Sequence, residues 1–300
     1  MSQKKDVERK RGNRLGFWLF RTSVRIFGLR GAYGLLYFPS LYYLAFDRAV
    51  VAASRSYVRR RFPDHGLLRQ MFDVYLLFVS QGKSLIDRHY LAAGGSDISR
   101  ELVGDEKIKD ILATGHKGLI LLTAHVGSWQ VAMTALRGFG RTVHLMMRPE
   151  DNIAVKEALN IDGEKESIRI IFTDGAMGGV IEALKAIDRG EIVSLMGDRT
   201  YGYASVEASL FGGNVRFPYG VFSLASAAQC PVAVLLSAKV GVKKHITDIS
   251  HVIEPPSGRR GSKDAEIQAC VQEFARVLEE HAVRYPYQWF VFRDIWREND

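Results

Sequence analysis

The chain has 300 residues, 47% hydrophobic and 25% charged, a balance that excludes an extensively disordered protein and allows a sizeable core. The formal net charge is +8, but residues 1–61 contain 14 Lys and Arg against 3 Asp and Glu. The other residues hold 27 basic and 30 acidic side chains, so the basic character belongs to the N-terminal segment. A basic segment of this kind meets anionic lipid or nucleic acid.

Residues 1–61 form a basic and aromatic segment in which apolar stretches separate the arginines. These stretches are LGFWLF and SVRIFGLRGAYGLLYFPSLYYLAF. On a helix, Arg14, Arg21 and Arg25 fall within about 40° of one another. A narrow basic stripe on an apolar helix favours a membrane interface and argues against nucleic acid as a partner. The alternative is a long buried helix whose arginines reach solvent.

The segment is short for a transmembrane helix. Its uncharged run from Gly31 to Phe46 covers 16 residues and includes Pro39, whereas a spanning helix needs roughly 20 residues. We therefore expect a monotopic anchor, with a single-pass helix as the alternative. No cleavage site of small residues follows a compact apolar core, so no removable signal peptide is expected. These features predict a membrane-associated protein with the bulk of its chain in the cytosol.

From residue 62 onward, short apolar runs alternate with helical patterns. Residues 67–91 are predicted to be helical, and further helices are predicted at 128–139, 178–190, 219–229 and 263–285. Strands are predicted at 119–124, 142–147, 168–172, 191–197, 231–240 and 245–253. This alternation predicts one α/β domain over residues 62–300, with a mostly parallel central sheet flanked by helices. The last two strands are predicted to be antiparallel.

Polar side chains follow several of the predicted strands directly. They are His125, Arg148, Asp174, Asp198 and Arg199. Because the carboxyl ends of parallel strands meet at one edge of a sheet, these side chains are expected to form a site there. For His125 the alternative is a structural histidine, and for the two arginines it is a surface ion pair.

The stretch HVGSWQ (125–130) contains the elements of a general-base site. Gly127 allows close approach of a substrate to the backbone, and Ser128 is a plausible N-cap for a helix whose free N–H groups face an oxyanion. Trp129 is a candidate substrate contact, with packing under His125 as the alternative. No GxSxG, Walker A or HExxH motif is present. Direct attack by an acceptor hydroxyl or amine, with His125 as base, is therefore favoured over a covalent intermediate.

Cys230 and Cys270 are separated by 40 positions and form no CxxC motif. Isolated cysteines of this kind suit a reducing compartment, and the sequence predicts no metal site.

Four ordered blocks resemble the late acyltransferases of lipid A biosynthesis, within the lysophospholipid acyltransferase superfamily. They are HVGSWQ (125–130), MMRPEDN (146–152), GDRTYG…SLFGGNVRFPYGVFSLASAAQCPV (197–232) and YPYQWFVFRDIW (285–296). The last block resembles a branch often called predicted acyltransferases. The resemblance extends from about Arg14 to Trp296.

The resemblance implies a glycerolipid acyltransferase-like fold and transfer of a fatty acyl group to a lipid-like acceptor. The donor would be acyl carrier protein or coenzyme A, with membrane lipids as further partners and no cofactor. It implies that His125 is the base and that Arg148 binds polar groups of the donor or acceptor. It also implies that Asp198 and Arg199, together with Phe211, Gly212 and Pro218, shape the acceptor side. The oligomeric state is left open.

Gln130 departs from the family pattern, which has Asp or Glu at this position. An amide oxygen still accepts a hydrogen bond from the histidine, but the negative charge that stabilises the imidazolium is lost. Asp198 and Asp174 are the candidates to supply that charge. Two other functions remain open at this point: a non-catalytic relative that binds acyl donor or lipid, and an unrelated hydrolase at the membrane surface.

Overall fold

A computed structural model describes residues 14–128, 131–133, 136–149, 168–174, 176–200, 204–256 and 262–297. The helices in these ranges are α1 (Arg14–Leu35), α2 (Tyr37–Phe46), α3 (Arg48–Arg61), α4 (Leu67–Ala92), α5 (Asp105–Thr114), α6 (Val180–Asp188), α7 (Gly220–Ala228) and α8 (Lys263–Arg284). The strands are β1 (Ser99–Val103), β2 (Leu119–Thr123), β3 (Val143–Met147), β4 (Ile168–Phe172), β5 (Ile192–Met196), β6 (Ser205–Leu210), β7 (Gly213–Pro218), β8 (Val232–Lys239) and β9 (Lys244–Ile253).

Seven strands form one sheet in the order β1-β9-β8-β2-β5-β3-β4. The adjacent strands β8, β2, β5, β3 and β4 are parallel to one another. Strand β9 is antiparallel to β8, and β1 pairs in parallel with β9 at the edge of the sheet. The predicted mixed α/β fold, its mostly parallel sheet and its antiparallel last pair are confirmed. The antiparallel β6–β7 hairpin lies outside this sheet.

The sheet is buried on both faces because its central strands are mainly apolar and most of their positions are buried. Ile120 and Leu122 of β2 face a core shared with α6, α7 and α8. Leu119 and Leu121 face the opposite core, which includes residues of α5. Successive side chains of a strand point to opposite faces, so one apolar run serves two helical layers.

The sequence patterns did not predict β1 or the β6–β7 hairpin. β1 reads SRELV and is mostly exposed at the sheet edge, so it has no apolar run. The hairpin alternates buried and exposed residues over two short strands joined at Phe211 and Gly212, both of which have positive φ.

The four N-terminal helices pack against one another and against the α/β core. α1 bends at Gly28 (φ 65°), and Leu29, Tyr33 and Leu36 pack near Ile86 of α4. Tyr57 of α3 is fully buried in the main core. Among the described helices, none combines the length and the apolar character that crossing a bilayer requires.

A buried carboxylate links the N-terminal helices to the sheet. Asp87 of α4 accepts hydrogen bonds from the Tyr33 hydroxyl of α1 and from Lys239 Nζ of β8, the latter at 2.8 Å. His245 Nε2 of β9 lies 2.9 Å from the same carboxylate. A buried charge is stable only when it is paired, so Asp87 must keep its partners on α1, β8 and β9. The cluster therefore links these three elements to α4.

Candidate active site

The candidate site forms where β2 and β5 end side by side. β2 ends at Thr123, whose carbonyl accepts the Gly197 N–H at 2.8 Å, so the pairing continues one residue beyond β5. His125 and Asp198 follow directly. Neighbouring parallel strands therefore deliver a histidine and a carboxylate to the same edge of the sheet.

Asp198 binds His125 through both carboxylate oxygens. Asp198 Oδ1 lies 2.7 Å from His125 Nδ1, and Oδ2 accepts the His125 backbone N–H at 2.9 Å. The Asp198 side chain is 1% exposed and that of His125 is 21% exposed. The carboxylate is thus sealed inside the protein, while the imidazole retains access to solvent.

The charge state of Asp198 follows from its surroundings. Burial alone would raise the pKa of this carboxyl group, but the contacts with His125 and the positive charge of Arg199 hold its pKa well below the usual range. An ionised carboxylate can only accept hydrogen bonds, so the Nδ1 atom of His125 must carry the proton. The lone pair of the neutral imidazole is then on Nε2, which suits proton abstraction from an acceptor.

The backbone around Gly127 is held tightly. Gly127 has φ of +52°, and a Cβ atom placed on it would lie 2.1 Å from the Ser237 carbonyl oxygen. Glycine is therefore required here by close backbone packing. The Ser128 carbonyl accepts the Ala132 N–H at 3.1 Å, and residues 131–133 are helical. The roles of Gly127 in substrate binding and of the helix start in oxyanion binding stay predictions.

The C-terminal segment 288–290 forms the third side of the site. The Gly127 N–H donates to the Gln288 carbonyl at 2.8 Å, and the Phe290 N–H donates to the His125 carbonyl at 2.9 Å. Trp289 Nε1 donates to Asp198 Oδ2 at 3.1 Å, and Arg199 Nη2 donates to the Phe290 carbonyl at 3.1 Å. No sequence motif pointed to a role for Trp289. Its signal in the sequence is the aromatic block YPYQWFVFRDIW.

The other candidate residues lie at differing distances from this pair. Asp174 is exposed after β4, three strands away from β2, and Arg148 is half-buried after β3, two strands away. Phe211 packs edge-on against Tyr57 at 5.8 Å, and Tyr57 packs in the same way against Trp289 at 5.3 Å. The hairpin therefore reaches the site through aromatic contacts.

Several site assignments stay predictions. Gly212 lies at the hairpin turn and Pro218 ends β7, but no contact assigns either to a substrate. Trp129 and Gln130 lie outside the described residues. Within the described ranges, no group of three or more His, Cys, Asp or Glu side chains is arranged to hold a metal ion. Cys230 and Cys270 are buried, and burial raises the pKa of the Cys230 thiol to about 12.

The fold and the site together define an α/β protein with a histidine–aspartate pair suited to general-base catalysis at the carboxyl ends of its strands. The sequence profile of bacterial lipid A biosynthesis acyltransferases matches residues 84–298. The chain belongs to this family, as the four blocks indicated. Membership supports an acyltransferase that acts on lipid A-like acceptors. No curated protein sequence matches the chain significantly.

Proposed function

We propose that the protein transfers a fatty acyl group from an acyl carrier protein or coenzyme A thioester to a hydroxyl or amine of a lipid A-like acceptor. The 2.7 Å contact between His125 Nδ1 and the buried Asp198 carboxylate carries the proposal. It supports the His125 tautomer that has its proton on Nδ1 and its lone pair on Nε2, and family membership supports acyl transfer as the reaction.

In the proposed reaction, His125 Nε2 takes the proton of the acceptor hydroxyl or amine as its oxygen or nitrogen attacks the thioester carbonyl carbon. The carbon–sulfur bond of the tetrahedral intermediate then breaks, and the leaving thiolate receives the proton from the imidazolium. Asp198 stays ionised throughout and stabilises the imidazolium. Backbone N–H groups at the N-terminus of the helix that the sequence predicts after Ser128 are the proposed partners of the intermediate's oxyanion.

The proposed substrate contacts follow from charge and from the family resemblance. Both donors are acidic, which suits Arg148 and Arg199 as partners of phosphate or carboxylate groups. Phe211, Gly212 and Pro218 are proposed to shape the acceptor side. No cofactor is required, because the thioester itself supplies the activated acyl group.

The alternative of a non-catalytic binding protein rested on Gln130 alone. Its premise was that His125 lacks a carboxylate partner. Asp198 bonds to His125 Nδ1 directly, so the amide at position 130 does not leave the histidine without a negative charge. This geometry supports an enzyme over a non-catalytic binding protein.

The test is the variant His125→Ala, assayed with acyl carrier protein and coenzyme A thioesters of several chain lengths and with vesicles of bacterial lipid extract as acceptor. We expect the transfer rate to fall by about 100-fold or more, because general-base catalysis contributes on that order. Donor binding should persist. The matched control is His116→Ala, which removes an exposed histidine and should leave transfer unchanged. Full transfer by His125→Ala would show that the proposed mechanism is wrong.

We also propose that the protein docks on the cytoplasmic face of the inner membrane through an apolar surface of α2 and α4. This docking face consists of Phe38, Leu41, Tyr42, Phe46, Leu67, Leu68 and Phe72. Its side chains are strongly exposed, with Leu68 at 87% and Phe38 at 75%. Exposed Arg48 and Arg69 flank it. An apolar patch with cationic neighbours suits the headgroup region of an anionic bilayer.

A further inference from the structure

Trp289 is a fully buried tryptophan with one polar atom, and that atom contacts the candidate catalytic pair. Its side chain is 0% exposed. Its Nε1–H donates to Asp198 Oδ2 at 3.1 Å, the same oxygen that accepts the His125 backbone N–H at 2.9 Å. Asp198 Oδ1 is thereby left to face the imidazole at 2.7 Å. The indole thus helps to determine which carboxylate oxygen meets the histidine.

We propose that Trp289 is a positioning residue that holds the Asp198 carboxylate in the orientation that His125 needs for acyl transfer. This inference rests on the proposed function of the site. The terminal torsion of an aspartate is intrinsically broad, so the carboxylate plane must be held by its hydrogen-bond donors. The His125 backbone supplies one donor to Oδ2 and the indole supplies a second, which together fix the plane.

The orientation of the indole is set independently of Asp198. Residues 288–290 pair with residues 125–127 through the antiparallel bridge between Val126 and Trp289. The Tyr57 ring packs edge-on against the indole at 5.3 Å, and the Tyr57 hydroxyl is itself bound to the Pro286 carbonyl at 2.8 Å. Because packing already fixes the Trp289 indole, its N–H loses little conformational entropy when it bonds to Asp198. A fixed donor of this kind can hold the carboxylate in one orientation.

Loss of the indole donor should weaken catalysis without weakening substrate binding. A hydrogen bond to a buried charge contributes enough free energy that its removal corresponds to about 10- to 100-fold in rate. Because Trp289 is buried, it does not touch substrate, so KM should stay close to its wild-type value. A purely structural role would lower the amount of folded enzyme and leave the kcat per folded molecule unchanged.

The test compares Trp289→Phe with Trp296→Phe in the full-length protein. The two indoles belong to one aromatic cluster, with ring centroids 6.4 Å apart, and both are buried. They differ in acceptor, because Trp296 Nε1 donates to the backbone carbonyl of Leu210 at 3.2 Å. Each variant is assayed for kcat and KM with acyl thioester donors and lipid-extract vesicles, and for thermal unfolding.

We expect Trp289→Phe to lose about 10- to 100-fold in kcat at an unchanged KM, whereas Trp296→Phe keeps its kcat even if its melting temperature falls. Wild-type kcat in Trp289→Phe, or an equal loss of kcat in both variants, would overturn the proposal. If Trp289→Phe fails to fold, a benzothienylalanine at position 289 removes the N–H and keeps the bicyclic ring, and the same loss is expected.

Comparing the acyl-transfer rates of Trp289→Phe and His125→Ala separates the two proposals. If His125→Ala and the wild type transfer acyl groups equally, the proposed function of the site is wrong. If His125→Ala loses transfer while Trp289→Phe retains it, the proposed function stands and the positioning role of Trp289 is wrong.

Discussion

At the scale of single residues, Asp198 combines features that are rarely found together. It is almost completely buried, yet its pKa is lowered, because His125 and Arg199 compensate for the cost of burial. It accepts hydrogen bonds from the His125 backbone, from the Trp289 indole and from the His125 ring. One carboxylate therefore determines the tautomer, the orientation and the charge environment of the proposed base.

This arrangement makes a prediction about Asp198→Asn. An asparagine keeps the size of the side chain but removes the charge and presents an NH2 group that competes for the histidine. We expect kcat to fall by about 10³- to 10⁴-fold, by analogy with the same substitution in a serine protease triad. Steady-state kinetics at several donor concentrations measure the effect.

The companion variant for this experiment is Gln130→Glu. Because Asp198 already binds Nδ1, a second carboxylate at position 130 should change kcat little. A large gain of activity in Gln130→Glu would contradict this expectation. It would indicate that the native site lacks a charge that Asp198 does not supply.

At the scale of elements, the N-terminal helices pack against the rest of the protein and also expose apolar side chains to solvent. One face of α1 packs on α4, and α3 contributes Tyr57 to the main core. On α2, the side chains of Phe38, Leu41 and Phe46 are exposed. The ring of Tyr37 on α2 lies 6.3 Å from that of Tyr75 on α4, and the Tyr75 ring lies 6.1 Å from that of Phe72 on the same helix. The docking face thus spans two helices that pack against each other.

We predict that the triple variant Phe38→Ser, Leu41→Ser and Phe46→Ser reduces binding to anionic phospholipid vesicles by at least about 10-fold. Each substitution removes apolar surface worth roughly 1 kcal/mol or more on insertion. Co-sedimentation with vesicles measures the partitioning. The matched control replaces the exposed Met177, Ile181 and Val283 by serine, because these apolar residues belong to neither α2 nor α4. Equal loss of binding in both triple variants would contradict docking through α2.

At the scale of the whole molecule, the packing of α8 against β8 and β9 makes stability depend on pH. Burial lowers the pKa of His281 to about 4, although Asp248 and a hydrogen bond with the Ser237 backbone act in the opposite direction. In the unfolded chain the same group has its ordinary value of 6.5. The unfolded state therefore binds the proton more strongly, and protonation favours unfolding.

The expected result is full stabilisation above pH 6.5 and a progressive loss as the pH falls toward 4. The loss amounts to at most about 3 kcal/mol in the free energy of unfolding. Urea unfolding at a series of pH values measures it, and His281→Gln should flatten the profile in this window. Asp198 does not contribute to the pH dependence in this window. Because its pKa is lowered, the stability that its ionised form provides is lost only under more acidic conditions. The control His116→Gln removes an exposed histidine, and an identical profile in both variants would exclude His281 as the origin.

Local sequence patterns were sufficient for most of the fold because its central strands and amphipathic helices carry strong periodic signals. The run LILLTA predicted β2, and the pattern of residues 263–285 predicted α8, which ends at Arg284. The same patterns predicted His125 and Asp198 at one sheet edge, since parallel strands align their carboxyl ends. They did not predict β1 or the β6–β7 hairpin, because exposed or alternating short strands resemble loops in sequence.

By itself the sequence determined the α/β class, the family and the choice of His125 as the candidate base, because these depend on local periodicity and on ordered blocks. Only the tertiary structure decided between Asp198 and Asp174 as the partner of His125. Strand order places β5 beside β2 and puts β4 three strands away, roughly 14 Å at ordinary strand spacing. It also decided that Trp289, 164 positions after His125 in the sequence, bonds to Asp198. Contacts between distant segments depend on strand order and packing, which no local pattern records.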